Sequence, residues 1–351
     1  METNSATPEH GLGRWVRREW RLLVGLALSV LCVYLAIRGV SLPSLLTALA
    51  TAQWKWVVVA VLVVMAGTVL KAWRWQTLFF PDRIPFGRGW RVFVIGQMLN
   101  IVLPARAGEI GRIYYISQGR SITKTKALST VVVEKMVDVA MLALAYGVAA
   151  AWLATTPIDS QEWLRGAGQG LLPLAAVATA VLLLFAYAGR HAWAGMRRLL
   201  SPLPHKWQRA LDAAAGQMID AFEVLRHGPT SARVWAASLL IWVLSAWTNV
   251  LLFRAFQLPL SAGVAIFLLV VLMSGVAVPP LPGNLGVFPY LSQVVLTLFG
   301  IERGLALAYG ITLQAAAYLP LVLVGLACLI GENWRLRGNR ARPGEQKVGP
   351  T

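Results

Sequence analysis

The sequence predicts an all-α polytopic membrane protein with about six full spans and two Pro/Gly-broken re-entrant hairpins, and three observations carry that prediction. The chain is 57% hydrophobic and only 13% charged, and several of its apolar runs approach the roughly 20 residues that cross a bilayer. Two further apolar stretches are interrupted, at Asn100-Ile-Val-Leu-Pro-Ala-Arg-Ala-Gly-Glu-Ile-Gly-Arg112 and at Val278-Pro-Pro-Leu-Pro-Gly-Asn-Leu-Gly-Val-Phe288. The loops, finally, divide their basic residues very unequally.

The elements follow in order. Residues 1–20 form a polar N-terminal segment. Trp15 and Arg17-Arg18 precede an apolar run too long for the core of a cleaved signal peptide, so the first helix is expected to stay. Spans are predicted near 21–38, 54–72, 127–153, 170–188, 234–256 and 305–330, each rich in Val, Leu, Ala and Ile. The stretches 92–103 with 108–117, and 263–280 with 285–299, are mostly short and flank the two breaks. Each pair reads as a hairpin; the second is longer and also fits two true spans, for up to ten crossings in all. One transmembrane domain thus covers residues 21–332, with repeat halves at 54–153 and 234–330, a connector at 190–233, and a basic tail over 333–351 expected to be disordered.

The breaks carry most of the meaning. A helix interrupted at membrane depth frees N–H and C=O groups that lipid cannot satisfy, so it survives only where buried in protein or lining a polar cavity. Matching breaks in two halves point to a transport site. Pro104 and Pro282, and Gly108 and Gly286, lie 178 residues apart, and Trp56 and Trp235 lie 179 apart. This near-constant offset predicts an internal repeat.

With a cytoplasmic N-terminus, the outer loops hold only Arg38, Lys55, Arg165, Arg254 and Arg303 of the 32 basic residues. Short basic loops are retained in the cytoplasm. Each hairpin contributes zero or two crossings, so both termini end inside however the hairpins are resolved. The span before the second break then runs opposite to the one before the first, which makes the repeat inverted. The net charge of +17 is accounted for by this asymmetry and by anionic headgroups at the inner leaflet, without nucleic acid.

In the connector, Trp207, Leu211, Ala215, Met218, Phe222 and Leu225 recur at helical spacing on one face between Lys206 and Arg226. Such a helix lies on the membrane or packs under the bundle. Cys32 and Cys328 fall inside apolar helices, and His10, His191, His205 and His227 lack metal-ligand spacing, so no metal and no cofactor is expected.

Charges at membrane depth are the candidate chemistry. Arg106, Glu109 and Arg112 sit in the first break; Glu134, Lys135 and Asp138 follow in the next span. A charge at mid-membrane costs about 2.5–3.5 kcal/mol, so these must pair or be wet. Glu134 and Asp138 are four apart, share a helix face, and can meet Arg106 or Arg112 across the hairpin. Bracing of the hairpin near a hydrated interface is the bland alternative. A guanidinium also binds phosphate bidentately, which makes a lipid headgroup the natural ligand. The candidate substrate-binding set is Asn100, Arg106, Glu109, Arg112, Glu134, Lys135, Asp138, Asn284 and Gln314. The hairpin backbone positions are Pro104, Gly108, Pro282, Gly283 and Gly286. Asn249 and Gln314, single polar residues inside spans, fit interhelical hydrogen bonds as well as ligand contacts.

The string Leu103-Pro-Ala-Arg-Ala-Gly-Glu109, followed by Glu134-Lys-x-x-Asp138 and Pro282-Gly-Asn-Leu-Gly-Val287, resembles the transmembrane domain of lysylphosphatidylglycerol synthases and related stand-alone flippase-like proteins. The likeness covers about residues 15–332. It implies movement of a polar lipid between leaflets. Three departures stand out: Lys135 where the family usually has arginine, Phe288-Pro289 where an acidic residue is common, and Gln314 near a usual arginine. Only residues 333–351 follow the last helix, so the synthase's soluble domain is absent from this stretch and lipid aminoacylation is not expected.

The leading expectation is therefore a lipid translocator rather than an enzyme, and with no P-loop it is not an ATPase by itself. The partner expected is a membrane lipid with a phosphate-containing headgroup, and a lipid-modifying enzyme is a possible second partner. A scaffold for lipid or cell-envelope enzymes is the alternative. An integral enzyme using Glu109, Glu134 and Asp138 as acid or base comes behind both, because no nucleophile or histidine accompanies them.

Overall fold

The computed structural model describes residues 31–103, 107–118, 122–155, 227–276 and 286–340, with isolated positions between 193 and 225. Among them every regular element is a helix. The helices are α1 (Leu31–Ile37), α2 (Leu42–Thr51), α3 (Trp54–Thr77), α4 (Phe86–Val102), α5 (Ala107–Ser117), α6 (Lys124–Ala154), α7 (Gly228–Ala255), α8 (Ala262–Val276), α9 (Val287–Leu298) and α10 (Arg303–Arg340).

Among the described residues four helices are long and apolar enough to cross a membrane: Trp54–Thr77, Lys124–Leu153, Gly228–Ala255 and Arg303–Gly331. They coincide with four of the six expected spans. The expected span at 21–38 is described only from Leu31 on, and there the chain bends by 83° into α2, giving a fifth candidate if the bent pair crosses as one. The expected span at 170–188 lies outside the described residues. The chain is a multi-pass helical membrane protein, and its lipid-facing surface is correspondingly oily, with Leu62, Val58, Leu239, Val243, Leu319 and Leu323 exposed.

Local sequence explains where helices start. Ser41 caps α2, its Oγ accepting from the Ser44 N–H at 3.3 Å, with Pro43 in the first turn. Sequence reasoning left α2 out, although Ser41 and Pro43 are the start signals that mark it. Thr123 caps α6 in the same way, at 3.2 Å to the Lys126 N–H. α6 therefore starts three residues earlier than the expected boundary, and Glu134 lies about 15 Å along it. α10 runs on to Arg340, past the boundary drawn at residue 332.

The two breaks separate short helices of 17 and 11 residues in the first half and of 15 and 12 in the second, each under a full span. α4 packs on α5, and α8 on α9. Pro104 and Arg106 of the first break, and Pro282, Gly283 and Asn284 of the second, lie outside the described residues.

An inverted internal symmetry is visible in the packing. If α3, α4, α5 and α6 are exchanged with α7, α8, α9 and α10, every packed pair among these eight helices maps onto another: α4 on α10 becomes α8 on α6, and α5 on α6 becomes α9 on α10. α3 packs directly on its counterpart α7. The two run antiparallel, because the Gln53 N–H donates to the Ala255 carbonyl (2.8 Å) at one end while Arg74 bonds Ser238 (2.9 Å) at the other. Equivalent helices of opposite direction mean halves related by an axis in the membrane plane.

Three apolar clusters fill the bundle. The largest joins the start of α3, the ends of α6 and α7, and α8 to α10 around Phe253, Leu268, Leu296 and Tyr309. A second, around Trp75, Phe79 and Phe93, holds α3, α4, α5 and α6 together. The third places connector residues Phe222 and Leu225 against Leu78, Val133, Val137 and Val234. The described part of the connector thus packs under the bundle, one of the two arrangements its amphipathic face allowed.

Candidate functional site

The site is built on a pair of glycines. Gly96 on α4 and Gly108 on α5 lack side chains, so the two backbones approach until a methyl group built on Gly108 would stand 1.9 Å from the Gly96 carbonyl oxygen. Small residues permit such close helix contact in membranes. One turn after Gly108, the stem of Arg112 crosses the bare face of Gly96, where a Cβ would meet its Cγ at 2.2 Å. The glycines thereby fix where Arg112 passes. Its guanidinium reaches the space between Trp75 and Phe93, with Cζ 4.2 and 4.6 Å from the ring centroids. Trp75 is held in turn by its Nε1–H, which donates to Thr130 Oγ1 at 3.2 Å.

Beyond the rings lies Glu134, which is 3% exposed. Arg112 donates to both its oxygens, through Nη2 to Oε2 at 2.6 Å and through Nη1 to Oε1 at 3.5 Å. A second arginine closes the network. Arg74, near the end of α3, places Nη2 3.7 Å from Glu134 Oε1 and donates through Nη1 to Asp138 Oδ1 at 2.7 Å and Ser238 Oγ at 2.9 Å. Two buried guanidiniums and two carboxylates balance, which meets the requirement that membrane-depth charges pair. Asp138 is 36% exposed and gives the network a wet edge. Lys135 and Glu109 form a separate pair at 3.0 Å, with side chains 41% and 21% exposed.

The residues singled out from the sequence fare as follows. Glu109, Arg112, Glu134, Lys135 and Asp138 meet around α5 and α6, and Arg112, one of the two hairpin arginines expected to meet the Glu134/Asp138 face, pairs with Glu134. Arg106 and Asn284 lie outside the described residues. Asn100 stands beside Gly108, and its buried Oδ1 has no hydrogen-bond donor among the described residues. Gln314, on α10 of the second half, takes no part in the ion pairs. Asn249 is an interhelical hydrogen-bonding residue: its Nδ2 donates to the Ala265 carbonyl (3.4 Å), and its Oδ1 accepts from Tyr309 (2.9 Å). Gly286 adopts φ +86°, so it is the left-handed residue from which α9 starts.

Arg74 was missed. Its place near a helix end, in a basic stretch, made it read as an orientation signal. The available clue was its place inside the apolar run of α3, where an arginine is expensive unless paired.

With this geometry in place, the comparisons are informative. The family described as the lysylphosphatidylglycerol synthase TM region matches residues 22–325. No curated protein matches the chain. The match spans most of the sequence, so the chain belongs to this family, and membership points to a membrane lipid-related function.

Proposed function

We propose, starting from membership of that family, that the chain translocates a polar or anionic lipid between leaflets without changing a bond in it. The observation that carries this reading is the paired ionic network of Arg74, Arg112, Glu134 and Asp138, seated where a broken helix meets a full span and open to water at Asp138. A headgroup phosphate competes for the same guanidiniums that the carboxylates hold, so the site can exchange partners instead of exposing charge to lipid. The acyl chains stay in the bilayer, and the inverted halves supply the two mirrored openings that alternating access needs.

The test is a leaflet-resolved assay in proteoliposomes. Fluorescent phospholipid in the outer leaflet is expected to become protected from an impermeant quencher faster than in empty vesicles, with no new lipid species in a mass spectrum. A chemically altered lipid would make the chain an enzyme. Neither movement nor conversion would leave it a scaffold.

In this reading the protein sits in the cell membrane with both termini, the α3–α4 loop and the connector in the cytoplasm. The basic loops support the orientation. After replacement of Cys32 and Cys328, single cysteines at Ser41 and Ser261 are expected to react with an impermeant thiol reagent in intact cells, and those at Gly87 and His227 only after permeabilisation. The reverse pattern would invert the proposed topology.

A further inference from the structure

The ionic network accounts for two of the cations on the buried side of the first half, but not for Lys71. This lysine lies three residues before Arg74 on α3, one turn further from the basic loops, and continues the buried stripe of Ala60, Gly67, Thr68, Arg74 and Trp75. It is half-buried, sits in the electrostatic field of Asp138, Glu134, Arg74 and Lys135, and makes no ion pair of its own among the described residues. Among the described residues the site with Lys71 holds four cations, Lys71, Arg74, Arg112 and Lys135, against the three carboxylates Glu109, Glu134 and Asp138. A cation in excess at this depth is expensive, and such residues mark substrate pathways.

A second observation sits one turn deeper on the same stripe. Gly67 is buried, yet a methyl group built there would find no atom of the described residues within 4 Å. Among the described residues no atom fills the space beside it, in a bundle where Gly96, Gly108 and Gly310 are all pressed against neighbours. A cation and a hollow therefore lie next to each other on α3, immediately beyond the guanidinium network.

We infer that Lys71 and the hollow at Gly67 form a subsite for one phosphodiester of a lipid headgroup, and that the excess charge of Lys71 selects a headgroup of net negative charge over a zwitterionic one. The phosphate docks first on the ammonium, ahead of any exchange with the carboxylates on the guanidiniums, so the paired arginines stay neutralised until the headgroup arrives. Arg74 and Arg112 hold the site together; Lys71 reads the ligand. This deepens the translocation reading and takes its functional meaning from it.

The experiment separates the two. Wild type, Lys71→Gln, Lys71→Arg and Gly67→Leu are purified and examined in two arms. In the first, phosphatidylcholine vesicles carry trace fluorescent phosphatidylglycerol or phosphatidylcholine, and leaflet exchange is followed. Wild type should move the anionic probe faster; Lys71→Gln should lose that preference through a fall of roughly tenfold or more for the anionic probe alone, while Lys71→Arg keeps it. In the second arm, short-chain phosphatidylglycerol, short-chain phosphatidylcholine and inorganic phosphate are compared as thermal stabilisers in detergent. Only phosphatidylglycerol should raise the melting temperature, and Lys71→Gln and Gly67→Leu should both abolish the rise while melting near wild type without lipid.

If wild type moves neither probe, the translocation reading fails, and the second arm still decides the subsite. An unchanged lipid preference in Lys71→Gln in both arms overturns the assignment of Lys71. A rise given equally by inorganic phosphate makes the site one for a free anion and overturns the lipid assignment. Should Lys71→Gln not fold, Gly67→Leu and Lys71→Arg carry the test, and full retention of the rise in Gly67→Leu overturns the hollow as the docking space.

Discussion

Glu134→Gln is expected to remove most of the folded protein from the membrane. Glu134 is 3% exposed and is the one carboxylate shared by Arg112 and Arg74. Neutralising it leaves Arg112, which is fully buried, without an anionic partner among the described residues, where Asp138 bonds Arg74. Removing one member of a buried pair typically costs about 3–5 kcal/mol, against a total stability of about 5–15 kcal/mol for a folded protein. Membrane abundance and the detergent melting curve by size-exclusion fluorescence should both fall sharply. Arg112→Gln combined with Glu134→Gln should recover part of the loss, because the double variant no longer buries an unmatched charge on α5. Asp138→Asn serves as the contrast: its half-hydrated carboxylate should be dispensable for abundance and needed for lipid movement. Wild-type melting of Glu134→Gln would mean that the pair seen at 2.6 Å is not a structural one.

Gly108→Ala is the second substitution of large expected effect, and it adds only a methyl group. That methyl would stand 1.9 Å from the Gly96 carbonyl oxygen, 2.6 Å from Asn100 Oδ1 and 2.7 Å from the Asn100 nitrogen. Two of these three atoms are backbone, so no rotamer relieves the clash and the hairpin must open. Overpacking of this kind costs about 1–3 kcal/mol or more, and here it also dislodges Arg112, whose stem lies against Gly96. Lipid movement should be lost completely, with a lowered melting temperature. Gly147→Ala on α6 is the control; its methyl meets nothing within 4 Å, and stability should hold or rise slightly. Gly286→Ala strains a left-handed backbone by about 1–2 kcal/mol and should impair movement alongside Gly108→Ala. If Gly286→Ala is fully active, the second break is a turn and the two-hairpin mechanism is wrong.

Much of this was legible in the sequence because the relevant rules are periodic. Apolar run length located four spans, and the constant interval between the breaks pointed to two halves, of which α3 and α7 pack antiparallel on each other. The i, i+4 carboxylates Glu134 and Asp138 together with the hairpin arginines pointed to an ionic cluster, and Arg112 is its observed member. What escaped was whatever depended on three-dimensional neighbourhood. Arg74 and Lys71 look like interfacial charges in one dimension, and only the packing of α3 against α6 and α7 turns them inward. Gly96 looks like any glycine of a membrane helix; its role appears once Arg112 is laid across it. The charge-poor second half was readable. That Asn249 makes an interhelical hydrogen bond was readable too; that its partner is Tyr309, tying α7 to α10, was not.

The contacts of Arg74 also dictate an order of events during synthesis. Its acidic partner Asp138 lies 64 residues downstream, and Ser238 lies 164 residues downstream. At translation rates of about 5–20 residues per second, α3 waits about 3–13 s for the carboxylates and about 8–33 s for the hydroxyl. During the first interval the arginine must be kept wet. Its position one turn from the end of α3 allows that, because a long side chain there can reach the membrane surface until α6 arrives. The first half can therefore close its ionic network before the second half exists. The insertion of α7 then completes a binding contact prepared many seconds earlier.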